Sequence, residues 1–408
     1  MTAKLIRHPD QLALLGAPTS AAAAAAGLEG GPEALRVAIG NRLIEVGYQT
    51  TDTGDLPVQL FEPDPESPRA RNVRAALGVL ESLKLRVEQA AKAHAFPLIL
   101  GGDSTVILAL AAGLRRQAPT LGLVHIGRHA DLHTPVFTED GIVEAMTVSH
   151  LIGQGAPELV RFWKEPPLVR EPDLVLFGLG EIGAADRERL ASTAVGRFPL
   201  AKIRRDGARV AAQTTLDRIR AGKRDFVVFL DAAVFSSNEV PGAPRGASEG
   251  LTLAEARETL GCLSVLPTFA GLAVSGYDPA LDPDRRGAAA IADLIVEALA
   301  LRHAALVQPK PEEAEAESAV QAPAADAEKA MSGEKSNPPA AQPSESKTAA
   351  ADPAESSAAP TEGFSAAPAA VAEIQAESEA QSAGTAGTDS SANGTDAAPS
   401  SGSEPASS

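Results

Sequence analysis

The sequence predicts an α/β fold, a three-layer αβα sandwich in which helices cover both faces of a mostly parallel β-sheet. Over roughly the first 300 of the 408 residues, short segments that end in Gly or Asp alternate with longer helical patterns. Most of the short segments are continuously apolar rather than alternating between apolar and polar residues. That composition is typical of strands that are buried on both faces of a sheet.

The predicted elements follow in chain order. Seven segments are expected to form strands, at residues 12–18, 48–55, 96–103, 121–127, 173–180, 226–233 and 269–279. Four longer segments are expected to form helices, at residues 31–47, 72–95, 251–263 and 284–306. The third of these helices has a defined start, because Thr252 is followed three residues later by Glu255 in a capping-box pattern.

Chemically reactive side chains lie where the predicted strands end. These residues are Asp103, His129, Asp131, Asp231 and Asp278. In an open parallel sheet, ligands bind at the carboxyl ends of the strands, and those ends meet at one edge. The sequence therefore predicts a functional site at that edge.

The composition changes after residue 307. Residues 308–408 are mostly Ala, Ser, Pro, Glu, Gly and Thr, with 17 acidic and 4 basic residues. Their net charge of −13 leaves only −4 of the whole-chain −17 for residues 1–307. Such a segment buries too little apolar surface to offset the entropy of ordering it. We therefore expect one folded domain at 1–307 and a disordered acidic tail at 308–408.

Several classes of function find no support in the sequence. The amino terminus lacks the apolar region of a secretory signal, and no apolar run reaches the ~18 residues that span a bilayer. The basic residues are scattered, so neither a nucleic-acid nor a membrane partner is expected. Cys262 is the only cysteine and lies in an apolar segment, which favours a core position and a cytoplasmic location.

Six motifs resemble those of the ureohydrolase family, which comprises arginase, agmatinase and formiminoglutamase. In chain order they read LLGAPTSAAAAAAGLEGGPEALR, LGGDSTVILAL, HIGRHADLHTP, VVFLDAAVF, EGLTLAEA and GYDPALD. Their spacing resembles the family's from residue 12 to about 300. The resemblance implies an arginase-like fold and hydrolysis of a guanidino or amidino C–N bond. It also implies two Mn²⁺ ions, which generate a hydroxide nucleophile at neutral pH.

The resemblance places six metal-ligand positions on this chain, and only half of them keep a ligand. His129, Asp131 and Asp231 retain the family's residue types. A histidine and two aspartates of the family are replaced by Ser104, Gly127 and Ala233. Two adjacent dications need several carboxylates. The three remnant ligands predict no bound metal, or at most one weakly bound Mn²⁺, Zn²⁺, Fe²⁺ or Ni²⁺.

The resemblance also assigns catalytic and substrate-binding roles to other positions, and this chain carries different residues there. Glu144 stands where arginases have a proton-transferring histidine, and Gly276 stands where the family has the glutamate that grips the guanidinium. Glu181 belongs to the segment that replaces an acidic substrate-binding motif. No catalytic residue can therefore be assigned. Asp103, Arg128 and His133 are expected to join Glu181 in the substrate cleft.

Two arrangements of the cleft are open. In the first, Arg128 pairs with Asp131, Asp231 or Asp103 and replaces part of the missing cationic charge. Arg245 in the rim loop 238–250 is expected to be a solvated charge, with contact to an anionic group as the alternative. In the second, His129, Asp131, His133 and Asp231 form a rebuilt single-metal site. Otherwise His125 is a packed strand residue and His133 a loop residue.

These arrangements lead to three functional hypotheses. The first is a catalytically impaired ureohydrolase-like protein with a structural or regulatory role. The second is an active hydrolase of guanidino or amidino compounds with a rearranged single-metal site. The third is a small-molecule binding module without turnover. The resemblance also implies a homo-oligomer, a trimer or hexamer, or a hetero-oligomer with an active relative.

Overall fold

The computed structural model describes residues 8–220 and 224–307; the tail predicted at 308–408 lies outside the described residues. One eight-stranded parallel sheet forms, in the order β2-β1-β3-β8-β7-β4-β5-β6. Its strands are β1 (Gln11–Ala17), β2 (Gln49–Asp55), β3 (Phe96–Gly101), β4 (Gly122–Ile126), β5 (Leu174–Leu179), β6 (Gly196–Pro199), β7 (Phe226–Asp231) and β8 (Phe269–Ser275). The predicted α/β fold class is confirmed.

Helices pack on both faces of this sheet. They are α1 (Gly31–Ile39), α2 (Arg42–Glu45), α3 (Val73–Lys92), α4 (Val106–Leu114), α5 (Thr147–Leu151), α6 (Pro157–Arg161), α7 (Ala184–Ala191), α8 (Leu200–Asp206), α9 (Ala208–Arg220), α10 (Leu253–Ser264) and α11 (Arg286–Val307). No helix among the described residues is both long and apolar enough to cross a bilayer.

Neighbouring residues of each central strand point into different cores. Ile99 and Leu123 pack with the helices α3 to α7, whereas Leu98 and Val124 pack with α1, α2 and α8 to α11. Since successive side chains of a strand point to opposite faces, a strand between two helical layers must be apolar on both. The continuous apolar runs in the sequence have this cause.

The helix predicted at 31–47 is divided in two. Gly40 has φ 50° and ψ −133° at the carboxyl end of α1, and α2 follows as a separate short helix. A residue without a side chain adopts this backbone conformation without steric cost. The predicted start of α10 is confirmed, because Thr252 Oγ1 accepts from the Glu255 amide at 3.1 Å and Glu255 accepts from the Thr252 amide at 2.9 Å.

The central strands bring the candidate residues to one edge of the sheet. Strands β3, β8, β7 and β4 are direct neighbours, and all four run in the same direction. The segments that follow them therefore leave the same edge, as the sequence predicted.

Candidate functional site

The guanidinium of Arg245 lies among the acidic side chains of this edge. Its Nη2 donates to Asp131 Oδ1 at 3.1 Å, and its Nη1 lies 3.4 Å from Glu144 Oε2. Nη1 is completely buried, although the side chain as a whole keeps 31% of its surface exposed. The prediction that Arg245 is a solvated loop charge is wrong, because the rim loop folds inward and delivers this side chain to the cleft.

Burial and the charge of Arg245 shift the pKa values of the nearby carboxylates in opposite directions. Burial raises the pKa of Glu144 to about 7 and that of Asp231 to about 6, and in both cases the guanidinium of Arg245 opposes the rise. Burial would also raise the pKa of Asp131, but Arg245 and the nearby histidines outweigh it and hold that pKa below its usual range. Burial would lower the pKa of Arg245, but the three carboxylates hold it above its usual range. Arg245 therefore carries a fixed positive charge in the cleft.

The three histidines of the segment HIGRHADLHTP do not converge. His125 is buried in β4 against Phe229, and its Nε2 lies 3.8 Å from Asp131 Oδ2. His133 Nε2 instead lies 3.6 Å from Asp186 Oδ1. Burial and the charge of Arg245 together lower the pKa of His129 to about 4, so His129 is neutral at physiological pH.

Ser104 and Asp103 take part in local hydrogen bonds. The Ser104 amide donates to Glu144 Oε1 at 3.0 Å, and the Ser104 and Thr147 hydroxyls lie 2.9 Å apart. Asp103 is fully buried and accepts from groups of the adjacent turns: the Thr19 hydroxyl, the Ala22 amide, and the amide and hydroxyl of Thr105. The expected cleft position of Asp103 is thus not observed, since its carboxylate fastens the turns instead.

The predicted pairing of Arg128 with a cleft carboxylate is wrong. Arg128 Nη1 donates to the carbonyl oxygen of Glu249 at 2.8 Å. Its guanidinium packs against Gly180, where a Cβ atom would lie 3.1 Å from Nη2. Gly180 leaves room for Arg128 to turn away from the cleft carboxylates. The positive charge beside those carboxylates comes from Arg245 instead.

Two of the replaced family positions have no room for a side chain. A Cβ atom on Gly127 would lie 2.6 Å from His125 Cε1. Gly276 has φ +80°, and its Cβ would lie 2.2 Å from Asp231 Oδ1. By contrast, Ala233 is a buried residue whose amide donates to Asp231 Oδ1 at 2.9 Å. The glycines at 127 and 276 and the alanine at 233 are therefore closely packed against the residues around the remnant ligands.

Two cavities meet at Arg245. One, of about 270 Å³, is lined by the alanines of 23–26 and by Glu144, Asp231, Gly276 and Asp278. The other, of about 370 Å³, is lined by His129, Asp131, His133, Glu181 and Asp186. Ala24 and Arg245 line both. His133 and Glu181 thus line the second cavity, and Arg245 forms part of the wall between the two cavities.

The residues at this edge do not fit a pair of Mn²⁺ ions. Three of the six ligand positions implied by the resemblance carry Ser104, Gly127 and Ala233, and a fixed cation contacts the retained Asp131. A guanidinium and two dications repel one another, and the carboxylates here are too few to neutralise all three. Across residues 8–220 and 224–307, no three His, Cys, Asp or Glu side chains are arranged to hold a metal ion.

Comparisons with known proteins identify the family. A sequence model of the arginase family matches residues 10–301. The chain belongs to the arginase family. Among its relatives is the arginase of Bacillus caldovelox, 24% identical over 284 residues, which cover 69% of this chain and 95% of that protein. The arginase of Bacillus subtilis (strain 168) is 26% identical over 246 residues, covering 60% and 82%.

Solved structures of the arginase family have the same fold. The crystal structure of arginase from Bacillus subtilis has a TM-score of 0.65 at 23% identity, covering 71% of this chain and 98% of that one. Proclavaminate amidino hydrolase from Streptomyces clavuligerus has a TM-score of 0.57 at 20% identity, covering 74% and 96%. At these identities the likeness shows the fold alone, and the local chemistry must be argued from the site of this chain.

Sequence reasoning named Arg245 in the rim loop but favoured a solvated position for this central residue of the site. Arg245 lies in the segment PGAPRGASEG, where small residues flank a single large basic side chain. That contrast was the available signal, because small neighbours let a loop approach a cleft closely. It does not specify the direction in which the arginine points, and only the folded loop does so.

Proposed function

We propose that this arginase-family protein does not hold the paired Mn²⁺ ions of a ureohydrolase and is impaired in the hydrolysis of guanidino compounds. Its role would then be structural or regulatory. The contact of Arg245 with Asp131 and Glu144 is the observation that carries this proposal. A covalently attached cation in contact with a remnant ligand competes directly with metal binding.

The test combines metal content with turnover. Protein purified with and without added Mn²⁺ is analysed for bound metal, and urea release is measured from arginine, agmatine and simpler guanidines. We expect much less than one equivalent of Mn²⁺ per chain and no urea above the uncatalysed background. Two equivalents of Mn²⁺ together with urea release would contradict the proposal. The arginase of Bacillus subtilis serves as the positive control for the assay.

A single-metal hydrolase is the second candidate, favoured by orphaned ligand atoms. His129 Nδ1 and Asp131 Oδ2 are buried and find no hydrogen-bond partner among the described residues. Buried lone pairs without a hydrogen-bond partner are costly, and both atoms are of a type that binds divalent ions. One equivalent of Zn²⁺, Fe²⁺, Ni²⁺ or Mn²⁺ that is lost in His129→Ala, with parallel loss of hydrolysis, would establish this alternative.

We further propose a homo-oligomer, or a hetero-oligomer with an active arginase-family relative. The support is membership of the family. Light scattering coupled to size-exclusion chromatography measures the mass of the purified protein, and a trimer or hexamer is expected. A mass equal to that of one chain would contradict the homo-oligomer. Co-purification with a catalytically active relative would support the second form.

A further inference from the structure

The rim loop that carries Arg245 is anchored at its base. Ser237 donates its amide to the Ala247 carbonyl at 2.9 Å, and the Ser236 hydroxyl donates to the Ser248 carbonyl at 2.8 Å. The tip, residues 242–247, contains only glycine, alanine and proline besides Arg245. Arg245 is therefore the one long side chain at the tip, and it extends from a fixed base into the cleft.

Of the two acids that contact Arg245, Glu144 is also held by another group. Asp131 and Glu144 are each only 3% exposed, and they come from separate segments of the chain. Glu144 Oε1 is fixed by the Ser104 amide at 3.0 Å, and Asp131 Oδ2 faces His125 Nε2 at 3.8 Å. Asp131 Oδ2 is also buried without a hydrogen-bond partner among the described residues. The Ser104 bond does not involve Arg245, so it can still hold Glu144 when the Arg245 side chain is removed. Asp131 then loses its side-chain hydrogen bond and is left as a buried carboxylate without a compensating cation.

Such a pair requires a cation. Two buried carboxylates close together are costly unless a positive group compensates them. A planar guanidinium offers N–H donors in several directions and can bridge two acids, which a compact ammonium does less well. In this chain Arg245 makes that bridge, with one nitrogen toward each acid.

There is also room for a larger ligand once Arg245 leaves. The cavities of about 270 Å³ and 370 Å³ both border Arg245, so removal of its side chain joins them. The smaller cavity is walled by the methyl groups of Ala23 to Ala26 and by Leu28. An alkyl substituent on a guanidinium would pack against this apolar wall.

We infer that Asp131 and Glu144 form a guanidinium-binding site that is occupied by the chain's own Arg245, and that the site accepts a free guanidinium or alkylguanidinium cation when the Arg245 side chain is removed. The inference rests on the proposed function and deepens it, because it names the Arg245 guanidinium as the cation that occupies the cleft instead of a metal ion. It also makes the rim loop an intramolecular competitor of external guanidino ligands.

The experiment is chemical complementation of Arg245→Ala. Melting temperatures of the full-length protein are measured with EDTA present, with and without guanidinium or methylguanidinium at millimolar concentration. Urea at the same concentration is the neutral ligand of matched shape. We expect R245A to melt below the parent protein and to regain about 3 °C with a tenfold excess of either cation over its Kd. Urea should leave the melting temperature unchanged.

Two matched variants complete the design. Arg128→Ala removes the same charge next to the cleft without touching Asp131 or Glu144, and Arg245→Lys keeps a tethered cation. Neither variant, nor the parent protein, should respond to millimolar guanidinium. If R245A does not fold unaided, its soluble yield on refolding is compared with and without methylguanidinium, with R245K as the folding control.

The outcomes separate this inference from the proposed function. A response of R245A to the cations alone supports the inference. The absence of any response or rescue, or an equal response in R128A, overturns it. Because EDTA is present throughout, these results do not depend on metal. Stoichiometric Mn²⁺ with turnover in the parent protein would instead overturn the proposed function, whatever R245A does.

Discussion

Gly127 and Gly276 show how closely the residues around the remnant ligands are adapted to one another. A side chain at 127 would collide with His125, and one at 276 would collide with Asp231 on a backbone that already disfavours side chains. Restoring the family's Asp at 127 or Glu at 276 therefore requires more than one substitution. The imidazole of His125 occupies space that a side chain at 127 would need. The consequence can be measured at position 127.

Gly127→Ala is expected to lower the free energy of unfolding by about 1–3 kcal/mol, because the new methyl group overlaps the His125 ring. In a His125→Ala background the same change should cost at least about 1 kcal/mol less. Denaturant titration of the four proteins of this cycle gives the coupling. Gly78→Ala is the control, since Gly78 is exposed within α3 and a Cβ there meets nothing within 4 Å, so it should be neutral or stabilising by up to about 1 kcal/mol. Equal penalties in both backgrounds would show that His125 is not the cause.

The buried imidazole of His150 should make the protein less stable in acid. It is buried in α5, and burial lowers its pKa to about 3 from the 6.5 of an exposed histidine. The unfolded chain therefore takes up the proton first, and stability falls as the pH drops below 6.5. His150 alone should cost about 2 kcal/mol between pH 7.5 and pH 5. His150→Leu should remove that part of the pH dependence in denaturant titrations, whereas an unchanged slope would mean that the imidazole is protonated in the folded protein.

The sequence predicted part of the site, for a physical reason. Asp231 ends β7, and His129 and Asp131 come shortly after β4, so the parallel sheet alone brings them to one edge. Arg245 belongs to a loop whose path depends on contacts with residues far away in the chain, such as Asp131. Arg128 is next to His129, but its direction depends on the space left by Gly180. Strand ends are predictable from local sequence, whereas side-chain directions in loops are not.

At the scale of elements, the buried strands were predicted, whereas the edge strand β6 and several helices were not, among them α4 and the 13-residue α9. The seven predicted strands all appear, but β6 was missed, because its four residues include the exposed Arg197 and a proline. An edge strand has only one neighbour and needs no continuous apolar run. Gly40 divided a predicted helix for a different reason, since its positive φ ends α1 in spite of the amphipathic pattern beyond it. The capping box of α10 was predicted because its signal is local.

That capping box gives a prediction about α10. Thr252→Ala removes the acceptor for the Glu255 amide and should lower the free energy of unfolding by about 1 kcal/mol. Thr214→Ala is the matched control, because Thr214 is exposed in the interior of α9 and its hydroxyl only donates back to the Val210 carbonyl. Alanine is the better helix former there, so T214A should be neutral or slightly stabilising. Equal losses in both variants on denaturant titration would argue against a specific cap.

At the scale of the whole molecule, α11 is fastened to the amino ends of three strands by Arg302. Its side chain is fully buried, and its Nη1 donates to the Pro9 carbonyl at 3.2 Å and to the Tyr48 hydroxyl at 3.4 Å. The guanidinium lies over the Phe96 ring, 4.4 Å from its centre. Pro9, Tyr48 and Phe96 lie just before or at the start of β1, β2 and β3. Arg302 thus joins the last described helix to the opposite edge of the sheet from the cleft.

The energetic role of Arg302 is expected to be mainly packing. Among the described residues no carboxylate pairs with it, and its Nε and Nη2 have no hydrogen-bond partner there, so burial of the charge is poorly compensated. Arg302→Ala should lower the free energy of unfolding by about 2–4 kcal/mol, because it leaves a cavity above Phe96. Arg302→Met refills most of that volume without a charge and should lose less than half as much. Denaturant titration of both variants separates the two contributions. If Met destabilises as much as Ala, the hydrogen bonds to Pro9 and Tyr48 and the contact of the charge with Phe96 hold α11 in place, and packing is secondary.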